Sequence, residues 1–407
     1  MLERLMKKGP LLLVFLIMLM DVVGISIFYP IAAFVVQKYS SDASMVTLLS
    51  ALYSAAQFIG APILGKLSDR FGRRPLLLAS LLGSIAGYVL FGIGGSLWVL
   101  LLSRLIDGLS GGNMSIASAY IADVSAPEER AKNFTLVGLA WGIGLVLGPA
   151  LGSALGQINL MLPAFLAAGL MLLCTVLGWF FLPESLPRES RETGKLSISA
   201  LNPFQAIWCM IRKPSVGWFL LIIGLFNLAI NGTNNVGSLF MIARFHAQPW
   251  HVGLLLVLMG IVIALVQLFG IPFFQPRFGE KKIATASMLG QVLGGIGVFF
   301  SGSMLMYFPV SLIATGISGF IYPSLTALAS NRVEEKEIGS LMGVSTSLNS
   351  LTNILGPLWA GAVFDLFTPG APFLFASAVY MLAFLLLIWQ GFLRLMRRTR
   401  QNEADIA

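Results

Sequence analysis

Charge is what this sequence has least of. Only 11% of its 407 residues are Asp, Glu, Lys or Arg, while 57% are apolar. A soluble domain carries about 25% charged residues, so a water-soluble globule is excluded and a chain that crosses a membrane repeatedly is expected. Cysteine is nearly absent. Cys174 falls inside an apolar run and Cys209 in a central loop, which excludes a disulfide framework and cysteine-based metal spacing. His246 and His251 are the only histidines, with no Cys or carboxylate beside them, so no metal site is expected. No nucleophile–base pair stands out, and no Gly-x4-Gly-Lys-Ser/Thr phosphate loop occurs. The chain is therefore read as neither an enzyme nor an ATP-driven pump, and no cofactor is expected. The net charge of +8 is not a nucleic-acid signal, because basic residues in such a chain mainly set topology.

What is present is apolar length. A helix needs about 20 apolar residues to cross a ~30 Å core. Twelve segments meet this roughly: 11–36, 45–65, 76–94, 97–123, 133–156, 161–182, 216–241, 252–275, 283–303, 309–330, 338–364 and 371–392. Arg4, Lys7 and Lys8 precede the first. That run is too long for a signal peptide and holds Asp21, so it reads as a transmembrane helix. Lys38, Arg104 and Arg244 apart, every Lys and Arg falls at a terminus or in a loop after an even-numbered span. Such loops stay inside, which places both termini in the cytoplasm.

The longest interruption, 183–215, separates an N-terminal bundle (1–182) from a C-terminal bundle with a short cytoplasmic tail (216–407). Within it Leu201, Phe204, Trp208 and Ile211 recur at spacings of three and four. They form either an amphipathic helix on the membrane surface or a loop packed on the helix ends. The halves echo one another at a near-constant offset. Arg70-Phe71-Gly72 is answered by Arg277-Phe278-Gly279, and Gly148-Pro149 by Gly356-Pro357. Glu128-Glu129-Arg130 is answered by Glu335-Lys336-Glu337. The expected fold is an all-α membrane protein of twelve transmembrane helices in two pseudo-symmetric six-helix bundles, an architecture that rocks about a midplane site.

Ionisable side chains deep in a membrane cost roughly 2.5–3.5 kcal/mol each, and few are retained. Asp21 lies about ten residues into its span, ~15 Å deep at 1.5 Å per residue. Asp107 sits at similar depth in the fourth span, and Arg104 pairs with it at i,i+3. Low dielectric disfavours a charged carboxylate and a nearby Arg favours it. Moving the Arg relative to the acid would therefore couple protonation to conformation. The other reading is a static, neutralised ion pair.

Uncharged polar residues form a second set. Tyr53, Gln57, Asn113, Asn227, Asn231, Asn234, Gln267 and Asn349 are candidate cavity residues. Asn227, Asn231 and Asn234 share one face of the seventh span. Each either hydrogen-bonds another helix or meets a substrate. The fifth span carries Gly144, Gly148, Pro149 and Gly152. Glycines at i,i+4 admit a close neighbour, and proline bends the helix.

Between the second and third spans stands Gly65-Lys66-Leu67-Ser68-Asp69-Arg70-Phe71-Gly72-Arg73-Arg74-Pro75, too charged for lipid and very short. It resembles the loop motif of the major facilitator superfamily. Within that superfamily the match extends to the tetracycline-type drug:proton antiporters. It runs through Asp21-Val22-Val23-Gly24, Leu52-Tyr53 with Gln57 and Pro62, and Arg104 with Gly108. It continues in Tyr120-Ile121-Ala122-Asp123 with Glu128, Glu129 and Arg130, and in Gly144, Gly148, Pro149 and Gly152. Ser153 replaces a usual glycine.

The resemblance implies the major facilitator fold and proton-coupled export of a small amphipathic drug or metabolite across a bacterial inner membrane. It implies that Arg104 and Asp21, with Asp107 nearby, couple protons, and that Gln57 faces the drug. It also implies that Gly65, Asp69, Arg70, Gly72, Arg73, Asp123 and Arg130 form a conformational latch, with Arg73 bridging Asp69 to Asp123 and Asp69 near Gly339 at the eleventh helix. Tetracycline pumps proper carry an acid in the ninth helix, and Ile283 to Ser303 has none. The C-terminal copy of the loop has Pro276, Glu280 and Asn331 where Asp69, Arg73 and Asp123 stand, so a one-sided latch is expected. The expected partners are a small-molecule substrate, protons and the bilayer, with the chain a monomer. A symporter or lipid exporter of the same fold, and a non-transporting sensor or scaffold, are the alternatives.

Overall fold

A computed structural model describes residues 2–191, 208, 210–213 and 216–406. The described residues are helical and contain no strand. Leu201, Phe204 and Cys209 lie outside them.

The chain opens with α1 (Leu2–Ser26), a turn of helix α2 (Ala32–Val36), α3 (Ala43–Phe71), α4 (Arg73–Ile93), α5 (Leu97–Leu109), α6 (Asn113–Val124), α7 (Arg130–Ile158) and α8 (Leu162–Phe181). It continues with α9 (Gly217–Phe245), α10 (Pro249–Leu265), a π-turn (Val266–Gly270), α11 (Ile271–Phe278), α12 (Glu280–Phe299), α13 (Met304–Ser330), α14 (Glu335–Leu366) and α15 (Ala371–Ile406).

Ten helical stretches among the described residues, one of them running through α10, the π-turn and α11, are long and apolar enough to cross a membrane by length and composition. Two of the twelve expected spans are not among them. The segment 97–123 is divided between α5 and α6, each too short alone. Ser110 and Gly112 at the break keep right-handed helical angles, so the interruption is a distorted turn and not a loop. The segment 338–364 lies within α14, a helix of 32 residues whose Ser, Thr and Asn side chains dilute its apolar character.

The repeat expected from sequence is present in the backbone. A single glycine with positive φ joins α3 to α4 (Gly72, φ 108°) and another joins α11 to α12 (Gly279, φ 76°), a conformation glycine adopts without steric cost. Ser96 caps α5 by accepting from the Val99 amide, and Ser303 caps α13 from the Met306 amide. Those two caps are separated by the same spacing as Arg70 and Arg277. A side-chain acceptor at this position satisfies an amide that the helix cannot.

Contacts divide the chain into two compact units. One is Met1–Leu201 with Ser238–Gly260; the other is Asn202–Gly237 with Ile261–Ala407. The division passes through α9 and α10 as well as the central loop, because the far end of α9 and the near end of α10 pack in the first unit. There a Cβ on Gly253 of α10 would lie 2.1 Å from the Ser153 hydroxyl of α7, so the serine that replaces a family glycine is accommodated by a glycine opposite. In the first unit Ile17, Met18, Leu77, Leu81, Tyr88, Phe91, Leu100 and Tyr120 are fully buried. The second packs around Phe219, Leu220, Ile223, Met288, Ile321, Leu325, Leu341 and Leu387.

Candidate functional site

The first unit buries a small acid cluster. Asp21 is 6% exposed and Asp107 2%, and the two carboxylates are within electrostatic reach of each other. Asp21 Oδ1 accepts a hydrogen bond of 2.7 Å from Asn113 Nδ2. The same amide is held from α4, where Ser80 Oγ donates to its oxygen and Ser84 Oγ lies 3.5 Å from its nitrogen. Asn113, expected among the cavity amides, is thus 1% exposed and engaged with an acid. It is the first residue of α6, and the broken turn before it brings the side chain to α1.

Arg104 faces Asp107 across one turn of α5, Nη1 to Oδ2 3.4 Å, a long ion pair for a buried site. Its Nε and Nη2 have no hydrogen-bond partner among the described residues. They are surrounded by rings instead. The guanidinium carbon is 4.2 Å from the centre of Phe28, 5.0 Å from Phe91, 5.8 Å from Tyr88 and 6.0 Å from Tyr53. A flat cation over aromatic faces is attracted to them. Buried donors left unspent are rare in native structures, and here they sit on the guanidinium that faces Asp107. On the edge of the cluster Gln57 Nε2 donates to Tyr53 Oη (3.2 Å) and to the Gly111 carbonyl (3.3 Å), which brings two of the expected cavity residues together.

The glycines of α7 decide which helix lies beside this cluster. A Cβ on Gly144 would lie 2.6 Å from Val22, on Gly148 1.9 Å from Ser26 Oγ, and on Gly152 2.2 Å from the Ile27 carbonyl. They let α7 press on α1, the helix that carries Asp21. Ser26 Oγ ties the seam by donating to the Gly144 carbonyl, 2.9 Å. Pro149 lies inside α7.

At the charged loop Arg73 pairs with Asp69 one turn back and with Asp123 of α6, 3.1 Å from Nε. Arg73 Nη1 also donates to Ser68 Oγ, 2.8 Å. Arg70 lies over the Phe71 ring at 5.6 Å, Gly65 is half-buried and Arg130 exposed.

A further member, Glu184, carries no mark in the sequence. Its Oε1 accepts from the Arg73 amide (2.8 Å) and the Leu186 amide (3.1 Å). It thereby caps α4, where amides are unpaired and the helix dipole favours a carboxylate. Gly72 leaves the space, since a Cβ there would stand 2.3 Å from Glu184 Oε2. Ser185 Oγ donates to Asp123 (3.0 Å) and Tyr120 Oη to the Pro183 carbonyl (2.9 Å). The central loop was read as a linker, and nothing in its composition marked Pro183–Ser185 as a clasp.

In the second unit the amides of α9 are used differently along one face. Asn227 is buried with Nδ2 unpartnered among the described residues. Asn231 Nδ2 donates to Thr352 Oγ1 of α14 at 3.2 Å. Asn234 is exposed. Asn349 is half-buried and its carbonyl accepts from Thr352. Gln267 is exposed within the π-turn. Trp359 Nε1 donates to the Leu228 carbonyl, 3.1 Å.

Helices long and apolar enough to span a membrane, built as a repeated unit around a few buried charges, define a multi-pass membrane protein of the carrier class. The family model described as Major Facilitator Superfamily matches residues 14–275 and 228–406, and the chain belongs to that superfamily. It is 36% identical over 364 residues to the class C tetracycline resistance protein of Escherichia coli, covering 88% of this chain and 91% of the relative. It is 29% identical over 353 residues to the class H tetracycline resistance protein of Pasteurella multocida, covering 86% and 87%. Among solved structures it is similar to the human organic anion transporter MFSD10 (TETRAN), with a TM-score of 0.68, 24% identity and coverage of 94% and 99%. That likeness speaks for the fold alone.

Proposed function

We propose that this protein is a proton-coupled antiporter that exports small amphipathic molecules across a bacterial inner membrane by alternating access. It acts as a monomer with both termini in the cytoplasm, and the carried molecule leaves chemically unchanged. The observation that carries the reading is the buried cluster of Asp21, Asn113, Arg104 and Asp107. Two acids and one cation with unspent donors, set in a membrane-spanning unit, change their balance of charge whenever a proton arrives or leaves.

In this reading Asp21 takes the proton, Asn113 holds its carboxylate in place, and Arg104 compensates Asp107 when Asp21 is neutral. Tyr53 and Gln57 connect the cluster to the ligand. Asn227, Asn231, Asn234, Gln267 and Asn349 are the polar side chains of the second unit suited to meet a ligand. The Asp69–Arg73–Asp123 network acts as the latch. The driving force suffices. At ~100 mV one proton gains about 2.3 kcal/mol, and one pH unit adds roughly 1.4 kcal/mol. One proton per neutral molecule then sustains a gradient of several hundredfold, on the order of 10 per 1.4 kcal/mol.

Kinship with tetracycline resistance proteins puts flat antibiotics of that kind first among test ligands. The ninth span argues for a ligand carried without a metal. Its buried polar residues are uncharged, Ser287, Gln291 and Ser301, with Gln291 Nε2 donating to the Ala314 carbonyl at 2.5 Å, and no acid lies between Ile283 and Ser303. Reconstituted vesicles report the function directly: adding ligand should drive protons opposite to it. Proton movement in the ligand's own direction would make the protein a symporter.

A further inference from the structure

The repeat is broken at one seam. In the first unit α5 closes on α3, where a Cβ on Gly108 would stand 2.5 Å from the Tyr53 carbonyl. Gly316 of α13 occupies the repeat position of Gly108, at the spacing that separates Gly148 from Gly356. Its nearest neighbour across the seam is only a Val262 methyl, 3.2 Å from a Cβ placed there. The π-turn Val266–Gly270 lies opposite, a helix irregularity frequent at functional sites. The result is an open apolar groove in the second unit.

Its mid-helix part, about 370 Å³, is lined by Val262, Val266, Gly270, Ile313, Gly316 and Ile317. Its outer part, about 280 Å³, is lined by Phe278, Lys282, Ile283, Ala286 and Ser287. The two meet at Phe274 and Phe320, whose rings stand edge to face with centres 5.9 Å apart. From Phe278 to Val262 the groove runs about 24 Å at 1.5 Å per residue. That is longer than one leaflet of a ~30 Å core.

Charge gathers only at the outer mouth. Lys282 lines it, and Lys281 and Arg277 are exposed on the same turn. Arg277 is stacked 3.6 Å from the Phe273 ring centre. Glu280 is the one acid in that stretch, which leaves a net positive mouth. None of the three cations has a carboxylate partner among the described residues.

We infer that this groove is a binding site for an anionic phospholipid, with an acyl chain along α10, α11 and α13 and the headgroup phosphate held by Lys282, Lys281 and Arg277. An apolar groove in lipid has no hydrophobic preference of its own, because lipid tails are as apolar as its walls. Selectivity therefore comes from the basic mouth, and basic pockets between transmembrane helices are suited to anionic headgroups. The transport reading needs none of these residues, so the two stand independently. The orientation proposed above assigns the mouth to the inner leaflet.

The test is native mass spectrometry of the full chain with phosphatidylglycerol or phosphatidylcholine, joined to labelling by phosphatidylglycerol bearing a photoreactive acyl chain. Phosphatidylglycerol should bind at least tenfold more tightly, and label should concentrate on peptides of α11 and α13. Lys281→Gln and Lys282→Gln should each weaken binding about fivefold. Ala286→Trp places a ring in the outer groove from an exposed position, so it should remove the label while leaving the melting temperature unchanged. Equal binding of the two lipids, or label spread evenly over all apolar helices, would overturn the assignment. So would displacement of the label by transported drug, or by pairing of two copies over the groove.

Discussion

Asn113 gives Asp21 a hydrogen bond of 2.7 Å while two serines of α4, Ser80 and Ser84, surround the same amide. One neutral side chain thus links a buried acid on α1 to α4 and α6. Leaving a buried carboxylate without its donor costs about 1–3 kcal/mol. Asn113→Ala should therefore lower the melting temperature by several degrees and slow ligand-driven proton flux by tenfold or more. Unaltered flux from a destabilised variant would reduce Asn113 to a packing role.

Arg104 is held by aromatic faces as much as by Asp107. Lysine keeps the charge but not the flat stacking surface. Arg104→Lys should retain ligand binding while losing most coupled transport, read as counterflow preserved against proton flux abolished. Phe28→Leu should produce a weaker version of the same split, since it removes the ring closest to the guanidinium.

The loop network predicts a separation between binding and turnover. Asp69→Asn breaks one of the two ion pairs of Arg73 and should cut transport while sparing ligand affinity measured by fluorescence quenching. Glu184→Gln retains the acceptor on the Arg73 amide and should be mild. Glu184→Ala removes the cap of α4 and should cost about 0.5–2 kcal/mol of stability. Equal effects of Gln and Ala would show that charge, not capping, is what Glu184 supplies.

The contact of α7 with α1 leaves no room at Gly148. Gly148→Val would have to move Ser26, and overpacking of this kind costs typically 1–3 kcal/mol. The variant should unfold at lower temperature and lose transport. Gly138, which has nothing within 4 Å, should accept the same change with full activity.

A ninth span without an acid predicts indifference to divalent metal. Export of an uncomplexed ligand should proceed at the same rate with magnesium and with EDTA. A strict magnesium requirement would return the protein to metal–drug exchange.

Much of the fold could be read from the residues because membranes impose coarse rules. Apolar length marked the spans, and the repeated Arg-Phe-Gly turns marked the duplication that Gly72 and Gly279 realise in the backbone. The broken turn between α5 and α6 escaped notice, because Ser110-Gly111-Gly112 sits inside an apolar run with no proline. Its consequence, Asn113 turned onto Asp21, escaped with it. Asp21, Arg104 and Asp107 were conspicuous as charges in an apolar chain. Glu184 was not, because an acid in a polar loop looks like any solvated acid until tertiary contact brings it to the end of α4. The groove in the second unit was hidden for the opposite reason: its walls are ordinary apolar residues, and only the relative placement of α10, α11 and α13 opens it.

The central claim is that Asp21 carries the proton that drives export. Everted vesicles containing the protein, with an acid-inside pH gradient imposed and no other energy source, should accumulate a flat amphipathic drug while their lumen turns more alkaline as protons leave. Asp21→Asn is close in shape and lacks the titrating group. It should fold, melt near the wild-type temperature and bind the drug, yet show no pH-driven uptake and no drug-driven proton flux. Wild-type uptake by Asp21→Asn under the same gradient would contradict the account.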